Sequence, residues 1–194
     1  MRVWRTMALA VLALAAGSLA IAQDKPVELK VGDKAPDFQA LDETGKEWRL
    51  SDHLGKKIIV VYFYPADFTG GCTAQACSFR DNMKPLTDRG VEVVGVSGDE
   101  VKTHALFKEH HKLPFTLLSD EKGEVAKKFG VPTKPGGPIP VKVDGKEMTI
   151  RQGVRAARWT FVIGKDGTII HKNTTVKPAE DAKQILEVVQ KQGR

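Results

Sequence analysis

One stretch, residues 58–81, constrains the fold more than any other part of the chain. Ile58 to Tyr64 is a continuous run of β-branched and aromatic residues, which is typical of a strand buried on both faces. Pro65 ends that strand, because proline cannot donate a hydrogen bond to a sheet. Thr69-Gly70-Gly71 then leads into a helix-forming segment with Cys72 in its first turn. Unpaired N–H groups and the positive end of the helix dipole favour a thiolate there.

Cys72 and Cys77 are the only two cysteines in the chain, and we interpret them as a working pair. A helix N-terminus stabilises a nearby anion by about 0.3–1 kcal/mol when exposed, and by ~2 kcal/mol at best. A thiolate that is stable near pH ~6 requires about 3.4 kcal/mol. A cation or further hydrogen bonds to the sulfur are therefore expected.

The composition indicates one ordinary globular domain. The chain has 194 residues, of which 41% are hydrophobic and 28% charged, so it can bury a substantial core. The formal net charge is +6, but the basic residues are spread along the chain rather than gathered into a stripe with aromatics. A nucleic-acid surface normally shows such a stripe, so no nucleic-acid partner is expected.

Residues 1–22 have the three parts of a secretory signal peptide. Arg2 and Arg5 form the positive start, an apolar segment follows, and Ala20-Ile21-Ala22 supplies a small-x-small cleavage pattern before Gln23. An uncleaved anchor is the alternative, but the apolar run is shorter than the ~18–20 residues that span a bilayer. We therefore expect a domain of residues 23–194 exported to a bacterial periplasm, without membrane contact in its mature form. In an exported protein, a plain structural disulfide is a second interpretation of the cysteine pair.

The rest of the chain alternates strand-like and helix-like segments. We expect a helix from Cys72 to about Gly90, with a break just before Pro85 because proline disrupts a helix interior. A hairpin is predicted over 38–50, and further strands over 91–96, 115–118, 159–163 and 168–171. Helices are predicted between or after these strands, over 101–113, after Asp120 and from about Pro178. This order predicts an α/β, thioredoxin-like fold: a central mixed sheet flanked by helices, with an N-terminal hairpin.

Residues 131–154 stand apart because they are rich in proline and glycine. Asp144-Gly145 predicts a small hairpin within them. We interpret the segment as a decorated surface loop and assign it no function.

The motif around the first cysteine resembles that of a known family. Pro65-x-x-x-Thr69-x-x-Cys72 matches the active-site signature of the peroxiredoxins. Cys77, followed by Ser-Phe-Arg-Asp, resembles their Q-type subgroup, also called bacterioferritin comigratory proteins. The resemblance runs from about Val31 to the C-terminal helix and implies the same thioredoxin-like fold.

The resemblance also implies an activity. The chain would reduce hydrogen peroxide and organic hydroperoxides, with Cys72 oxidised to a sulfenic acid and Cys77 condensing with it to a disulfide. A thioredoxin-like donor would restore both thiols, and no metal or organic cofactor would be needed. Thr69 would orient the peroxide and Pro65 would shield the pocket from water. The structural alternatives are that Thr69 only caps the helix and that Pro65 only ends the strand.

Arg158 is the candidate cation. Arg158-Trp-Thr-Phe resembles the family's Arg-x-Thr-Phe, whose arginine faces the reactive sulfur. Without the resemblance, an arginine at a strand entrance on the surface would be favoured. Arg151 and Arg155 are nearby rivals that lack the following Thr-Phe. Gln75 stands where many relatives carry glutamate, which leaves the local charge balance open.

Two other classes of function remain as alternatives. A thiol–disulfide oxidoreductase on this fold would have Cys-x-x-Cys and a proline just before the strand near Trp159, where this chain has Ala157-Arg158. A copper-binding carrier would combine both cysteines with a histidine. No histidine pair here has ligand spacing beside a third donor, so no metal site is predicted. The expected oligomeric state is a monomer or a weak homodimer.

Overall fold

A seven-stranded mixed sheet forms the centre of the computed structural model, which describes residues 27–192. The predicted signal peptide and its cleavage point lie outside the described residues. The strands are β1 Gln39–Asp42, β2 Glu47–Arg49, β3 Ile58–Phe63, β4 Val91–Ser97, β5 Thr116–Ser119, β6 Thr133–Val143, β7 Lys146–Ala156, β8 Trp159–Ile163 and β9 Ile169–Asn173. The α-helices are α1 Gly70–Asp81, α2 Met83–Thr87, α3 Val101–His111, α4 Glu124–Lys128 and α5 Asp181–Gln192, with short 3-10 turns at Leu50–Asp52 and Pro178–Glu180.

The sheet has the order β2-β1-β5-β4-β3-β8-β9. Strands β3, β4 and β5 are parallel, whereas β8 is antiparallel to β3, and β1 to β5. The β1–β2 pair is the predicted N-terminal hairpin. The expected α/β, thioredoxin-like architecture is therefore confirmed.

Two apolar cores lie on opposite faces of the sheet, and the alternation of side chains in β3 supplies both. Val60 and Tyr62 point into the core that contains residues of α1, α3 and α5. Ile59, Val61 and Phe63 point into the core that contains residues of α4 and the N-terminal segment. Burial on both faces explains why β3 reads as an unbroken apolar run. It also holds the carboxyl end of β3 rigidly where α1 begins.

The helix that follows β3 is interrupted, as predicted, but at Asn82 rather than directly before Pro85. A proline in a continuous helix would clash with the carbonyl four residues earlier, which belongs to Asp81. The break places Pro85 in the first turn of α2, where its missing N–H is not needed. The segment ends at Gly90, whose φ of +71° suits glycine.

Residues 131–154 are not a loop, so that prediction was wrong. Strands β6 and β7 are eleven residues each and form a separate two-stranded antiparallel sheet, paired from Thr133 with Ala156 to Val143 with Lys146. Prolines are tolerated because each strand is an edge strand. The turn at Asp144-Gly145 was predicted, and both residues have the positive φ of a tight hairpin turn, 49° and 79°.

Among residues 27–192, none of the helices combines the length and apolar character needed to cross a bilayer.

Candidate active site

Cys72 lies in the first turn of α1, at the carboxyl end of β3. Its side chain is 2% exposed, and Thr69 is the residue from which the helix starts. A side chain at Gly71 would place its Cβ 3.4 Å from Arg158 Nη2. The guanidinium therefore lies within van der Waals reach of the start of the helix.

Arg158 is the cation beside the sulfur. Its Nη2 donates a hydrogen bond to Cys72 Sγ at 3.1 Å, and its Nη1 donates to Gln75 Oε1 at 2.5 Å. The rivals lie elsewhere: Arg155 donates to Gln152 at 3.2 Å, and Arg151 is exposed on β7. The structure thus brings Arg158 and Cys72 together from positions 86 residues apart.

The loop between β3 and α1 carries Pro65 and Thr69. The Thr69 hydroxyl donates to the Ala66 carbonyl at 2.9 Å and makes no capping bond to the helix. The Pro65 carbonyl accepts a hydrogen bond from Gln152 Nε2 at 2.8 Å. Because Gln152 belongs to β7, the hairpin that was predicted as a loop holds the backbone of the site.

Cys77 lies in the same helix as Cys72, five positions on. It is half-buried, and both cysteines are free thiols. The structure is therefore that of the reduced chain with α1 folded across both positions.

A buried polar cluster lies behind the loop, formed by Tyr64, Asp67, Asp99, His104 and Ser97. Asp67 accepts from the Tyr64 hydroxyl at 2.8 Å and lies 2.8 Å from His104 Nδ1. The Asp99 carboxylate accepts from the Asp67 backbone N–H at 2.9 Å and from the Ser97 hydroxyl at 2.6 Å. These contacts join the loop to β4 and α3.

Two side chains of this cluster, Asp99 and His104, have pKa values that differ from those of exposed groups. Burial raises the pKa of Asp99 to about 6, and the nearby Asp67 carboxylate adds to the effect. Burial by itself would lower the pKa of His104, but the contacts with Asp67, together with Asp99 and the Leu118 backbone, outweigh it, so the pKa of His104 is raised. Both groups in the cluster therefore have a raised pKa and hold a proton more readily than their exposed counterparts.

A second polar group supports Arg158 from the other side. Gln75 Nε2 donates to Asp181 Oδ2 at 2.7 Å, and the Thr160 hydroxyl donates to the same oxygen at 2.8 Å. Gln75, Thr160 and Asp181 are all 0% exposed. Burial raises the pKa of Asp181.

Comparison with known proteins identifies the family. The sequence pattern of the AhpC/TSA family matches residues 31–172. The chain is 39% identical over 160 residues to chloroplastic peroxiredoxin Q of Oryza sativa subsp. japonica, a match that covers 82% of this chain and 66% of the rice protein. It is 37% identical over 161 residues to peroxiredoxin Bcp of Bacillus subtilis, covering 83% and 95% of the two chains. The chain belongs to the AhpC/TSA family of peroxiredoxins.

Solved structures of Q-type relatives share its fold. Peroxidoxin BcpB from Mycobacterium tuberculosis has a TM-score of 0.70 and 34% identity, with 84% of this chain and 98% of that chain covered. Peroxiredoxin Q from Xanthomonas campestris has a TM-score of 0.66 and 26% identity, with 81% and 92% covered. The resemblance to the Q-type subgroup is therefore confirmed.

Sequence reasoning on this peroxiredoxin missed the cluster around Asp67 and the partners of Gln75. A usable signal for the first existed: Asp67 follows β3, and Ser97 ends and Asp99 follows the adjacent parallel β4. Polar residues after neighbouring parallel strands meet at one edge of a sheet. The contact between Gln75 and Asp181 had no comparable signal, because 106 residues separate them.

Within the described residues 27–192, His, Cys, Asp and Glu side chains form no group of three or more that could hold a metal ion.

Proposed function

We propose that this chain is a thiol-dependent peroxidase that reduces hydrogen peroxide and organic hydroperoxides at Cys72. The observation that carries the proposal is the 3.1 Å hydrogen bond from Arg158 to the buried Cys72 sulfur at the start of α1. A guanidinium and a helix N-terminus together stabilise a thiolate better than either does alone. The family supports the same activity, and the reported structure of the Xanthomonas campestris bacterioferritin comigratory protein concerns its alkyl peroxide reduction activity.

In the first step the Cys72 thiolate attacks one peroxide oxygen. An S–O bond forms, the O–O bond breaks, and the leaving oxygen takes up a proton to give water or an alcohol. The sulfur is oxidised to a sulfenic acid while the peroxide is reduced. The Arg158 fork can donate to the sulfur and to the oxygen on which charge develops. Thr69 would orient the peroxide, and Pro65 would restrict access of water to the site.

In the second step the Cys77 thiolate attacks the Cys72 sulfur. An S–S bond forms, and the hydroxyl of the sulfenic acid leaves as water after protonation. A thioredoxin-like dithiol then reduces the Cys72–Cys77 disulfide by two successive exchanges and is itself oxidised to a disulfide. The half-exposed position of Cys77 makes it the accessible member of the pair.

The second step requires α1 to open. In an intact helix, Cα atoms five residues apart are separated by roughly 8–9 Å. A disulfide requires a Cα separation of about 4.4–6.8 Å. The two side chains also lie about 140° apart around the helix axis, so side-chain rotation cannot join the sulfurs.

A peroxide-consumption assay with and without thioredoxin, its reductase and NADPH tests the activity. We expect donor-dependent turnover that Cys72→Ser abolishes. Arg158→Ala should slow peroxide reduction about 100-fold or more, because it removes a donor to the reacting atoms. Arg151→Ala, an exposed arginine on β7, is the matched control and should have little effect. Equal effects of the two arginine substitutions would overturn the assignment of Arg158.

The same protein separates the two alternatives. A thiol–disulfide oxidoreductase would reduce insulin disulfides efficiently without consuming peroxide, and a copper carrier would bind Cu(I) in a titration through both cysteines. Either result without peroxidase activity would replace the proposal.

Export to a bacterial periplasm, with residues 1–22 removed as a signal peptide, is part of the proposal. Its support is the charged start, the apolar segment and the small-x-small pattern before Gln23. N-terminal sequencing of protein from separated cell fractions tests it. Intact Met1 in cytoplasmic material would exclude export.

The proposed oligomeric state is a monomer or a weak homodimer. Sedimentation equilibrium over a range of concentrations tests this directly, and a dimer that persists at nanomolar concentration would contradict it.

A further inference from the structure

Arg158 is held by a chain of hydrogen bonds that ends on a buried carboxylate. Arg158 Nη1 donates to Gln75 Oε1 at 2.5 Å, and Gln75 Nε2 donates to Asp181 Oδ2 at 2.7 Å. The Thr160 hydroxyl donates to the same carboxylate oxygen at 2.8 Å. The three supporting residues come from α1, β8 and the start of α5, so each is fixed by a different element.

The polarity of this chain leaves one orientation for Gln75. A guanidinium can only donate hydrogen bonds and a carboxylate can only accept them, whereas an amide does both. The amide oxygen must therefore face Arg158, and the amide NH₂ must face Asp181. A glutamate at position 75 would instead bring two carboxylates to hydrogen-bonding distance, which is unfavourable unless they share a proton.

Asp181 is poorly explained by stability alone. Its side chain is fully buried, and its Oδ1 has no hydrogen-bond partner among the described residues. An incompletely satisfied buried carboxylate is costly to folding, and burial raises the pKa of Asp181 accordingly. The nearest full charge of opposite sign along the hydrogen-bond chain is Arg158, which is also part-buried.

We propose that Asp181 is a positioning residue for peroxide reduction: acting through Gln75, it holds the Arg158 guanidinium against the Cys72 sulfur and balances its charge inside the site. The inference rests on the proposed peroxidase function. An arginine side chain has several rotatable bonds, so two anchored N–H groups are needed to keep its fork on one sulfur. Gln75 transmits the effect of the carboxylate and occupies the same helix as Cys72.

Exchanging the amide at position 75 and the carboxylate at position 181 provides the test. Gln75→Glu places a carboxylate against Asp181 and should slow single-turnover oxidation by hydrogen peroxide about 10- to 100-fold. Asp181→Asn keeps an acceptor oxygen but removes the charge, and should slow it about 10-fold. The double variant Gln75→Glu/Asp181→Asn restores one carboxylate and one amide in reversed order. We expect it to recover to within about 3-fold of the natural chain.

Two further readouts separate positioning from a structural role. Asp120→Asn removes another buried carboxylate, which accepts from the Val125 and Ala126 N–H groups of α4. It should lower the thermal midpoint without changing the oxidation rate. Alkylation of Cys72 by iodoacetamide, located by mass spectrometry, should slow in both single variants and recover in the double variant.

The outcomes are distinct. A double variant no faster than the slower single variant, or an Asp181→Ala variant with unchanged oxidation rate, would overturn the inference. If the natural chain consumes no peroxide, the proposed function fails, while the alkylation series still reports whether Asp181 positions Arg158.

Discussion

His104 Nδ1 lies 2.8 Å from Asp67 Oδ2, and both side chains are completely buried. The pair joins α3 to the loop that carries Pro65 and Thr69, and the Tyr64 hydroxyl adds a second bond to Asp67. The position of this loop between β3 and α1, called the catalytic loop below, therefore depends on charges that have no access to solvent.

His104→Leu should lower the free energy of unfolding by about 3–5 kcal/mol, because it leaves the buried Asp67 without its partner. The raised pKa of His104 means that the protonated form stabilises the folded state below about pH 6.5. That contribution is lost as pH rises through the folded pKa, so the deficit of the variant should be larger near pH ~6 than near pH ~9. Urea unfolding at both pH values measures it.

His110→Leu is the matched control, because His110 faces the exposed Asp144 at 3.5 Å with 27% of its own side chain exposed. Its effect should stay below about 1 kcal/mol. Comparable losses from the two substitutions would show that the buried pair has no special importance.

Asp99→Asn should flatten the pH dependence of stability in mildly acidic solution. The pKa of Asp99 is raised from 3.8 to about 6, so between these values the folded chain binds more protons than the unfolded chain. Stability therefore falls as pH rises through this window, by up to about 3 kcal/mol for this group. Thermal or urea unfolding from pH ~4 to ~6.5 should show a smaller fall for the variant.

Asp88→Asn is the control for Asp99, because the Asp88 carboxylate pairs with Lys84 on the exposed surface. The dependence of its stability on pH should parallel that of the natural chain. An Asp99→Asn curve that also runs parallel would contradict the buried-carboxylate explanation.

Gln152→Ala should loosen the catalytic loop from the β6–β7 hairpin. The lost hydrogen bond to the Pro65 carbonyl is 2.8 Å long, and a bond of this kind contributes about 0.5–1.5 kcal/mol. We expect single-turnover peroxide reduction to slow about 2- to 10-fold, with faster hydrogen exchange at residues 66–69. Thr149→Ala, exposed on the same strand, should change neither measurement. If neither the reduction rate nor the hydrogen exchange at residues 66–69 changes in Gln152→Ala, the β6–β7 hairpin covers the site without holding the loop in place.

Hydrogen exchange over residues 73–81 should differ between the reduced and oxidised chains. The reduced α1 is anchored by Gln75 on Asp181 and by the Ser78 hydroxyl, which donates to the Ala179 carbonyl at 3.0 Å. Disulfide formation must release these anchors, because helix geometry keeps the two cysteines too far apart. Equal protection in both redox states would contradict this.

Cys77→Ser is the companion variant for the opening of α1. It should still form one sulfenic acid per chain but fail to turn over with a thioredoxin-type donor. Continued turnover with that donor would exclude Cys77 as the resolving cysteine.

Much of the fold was predictable because it follows from local residue chemistry. The unbroken apolar run of β3, the turn residues Asp144-Gly145 and the glycine at position 90 act over a few neighbouring residues, and all three predictions were confirmed. The long hairpin over 133–156 was missed, because its prolines look like strand breakers unless both strands are known to be edges.

The sequence by itself determined the strand-to-helix junction with Cys72 in the first turn, since the apolar run, Pro65 and the Gly70-Gly71 entrance act on adjacent backbone. Arg158 required the family resemblance, because nothing local aims an arginine at a sulfur 86 residues away. Only the tertiary structure decided which buried polar groups meet: Asp67 with His104, and Gln75 with Asp181. Their side chains approach through the packing of α1, α3 and α5 against the sheet, and such contacts leave no periodic pattern in the sequence.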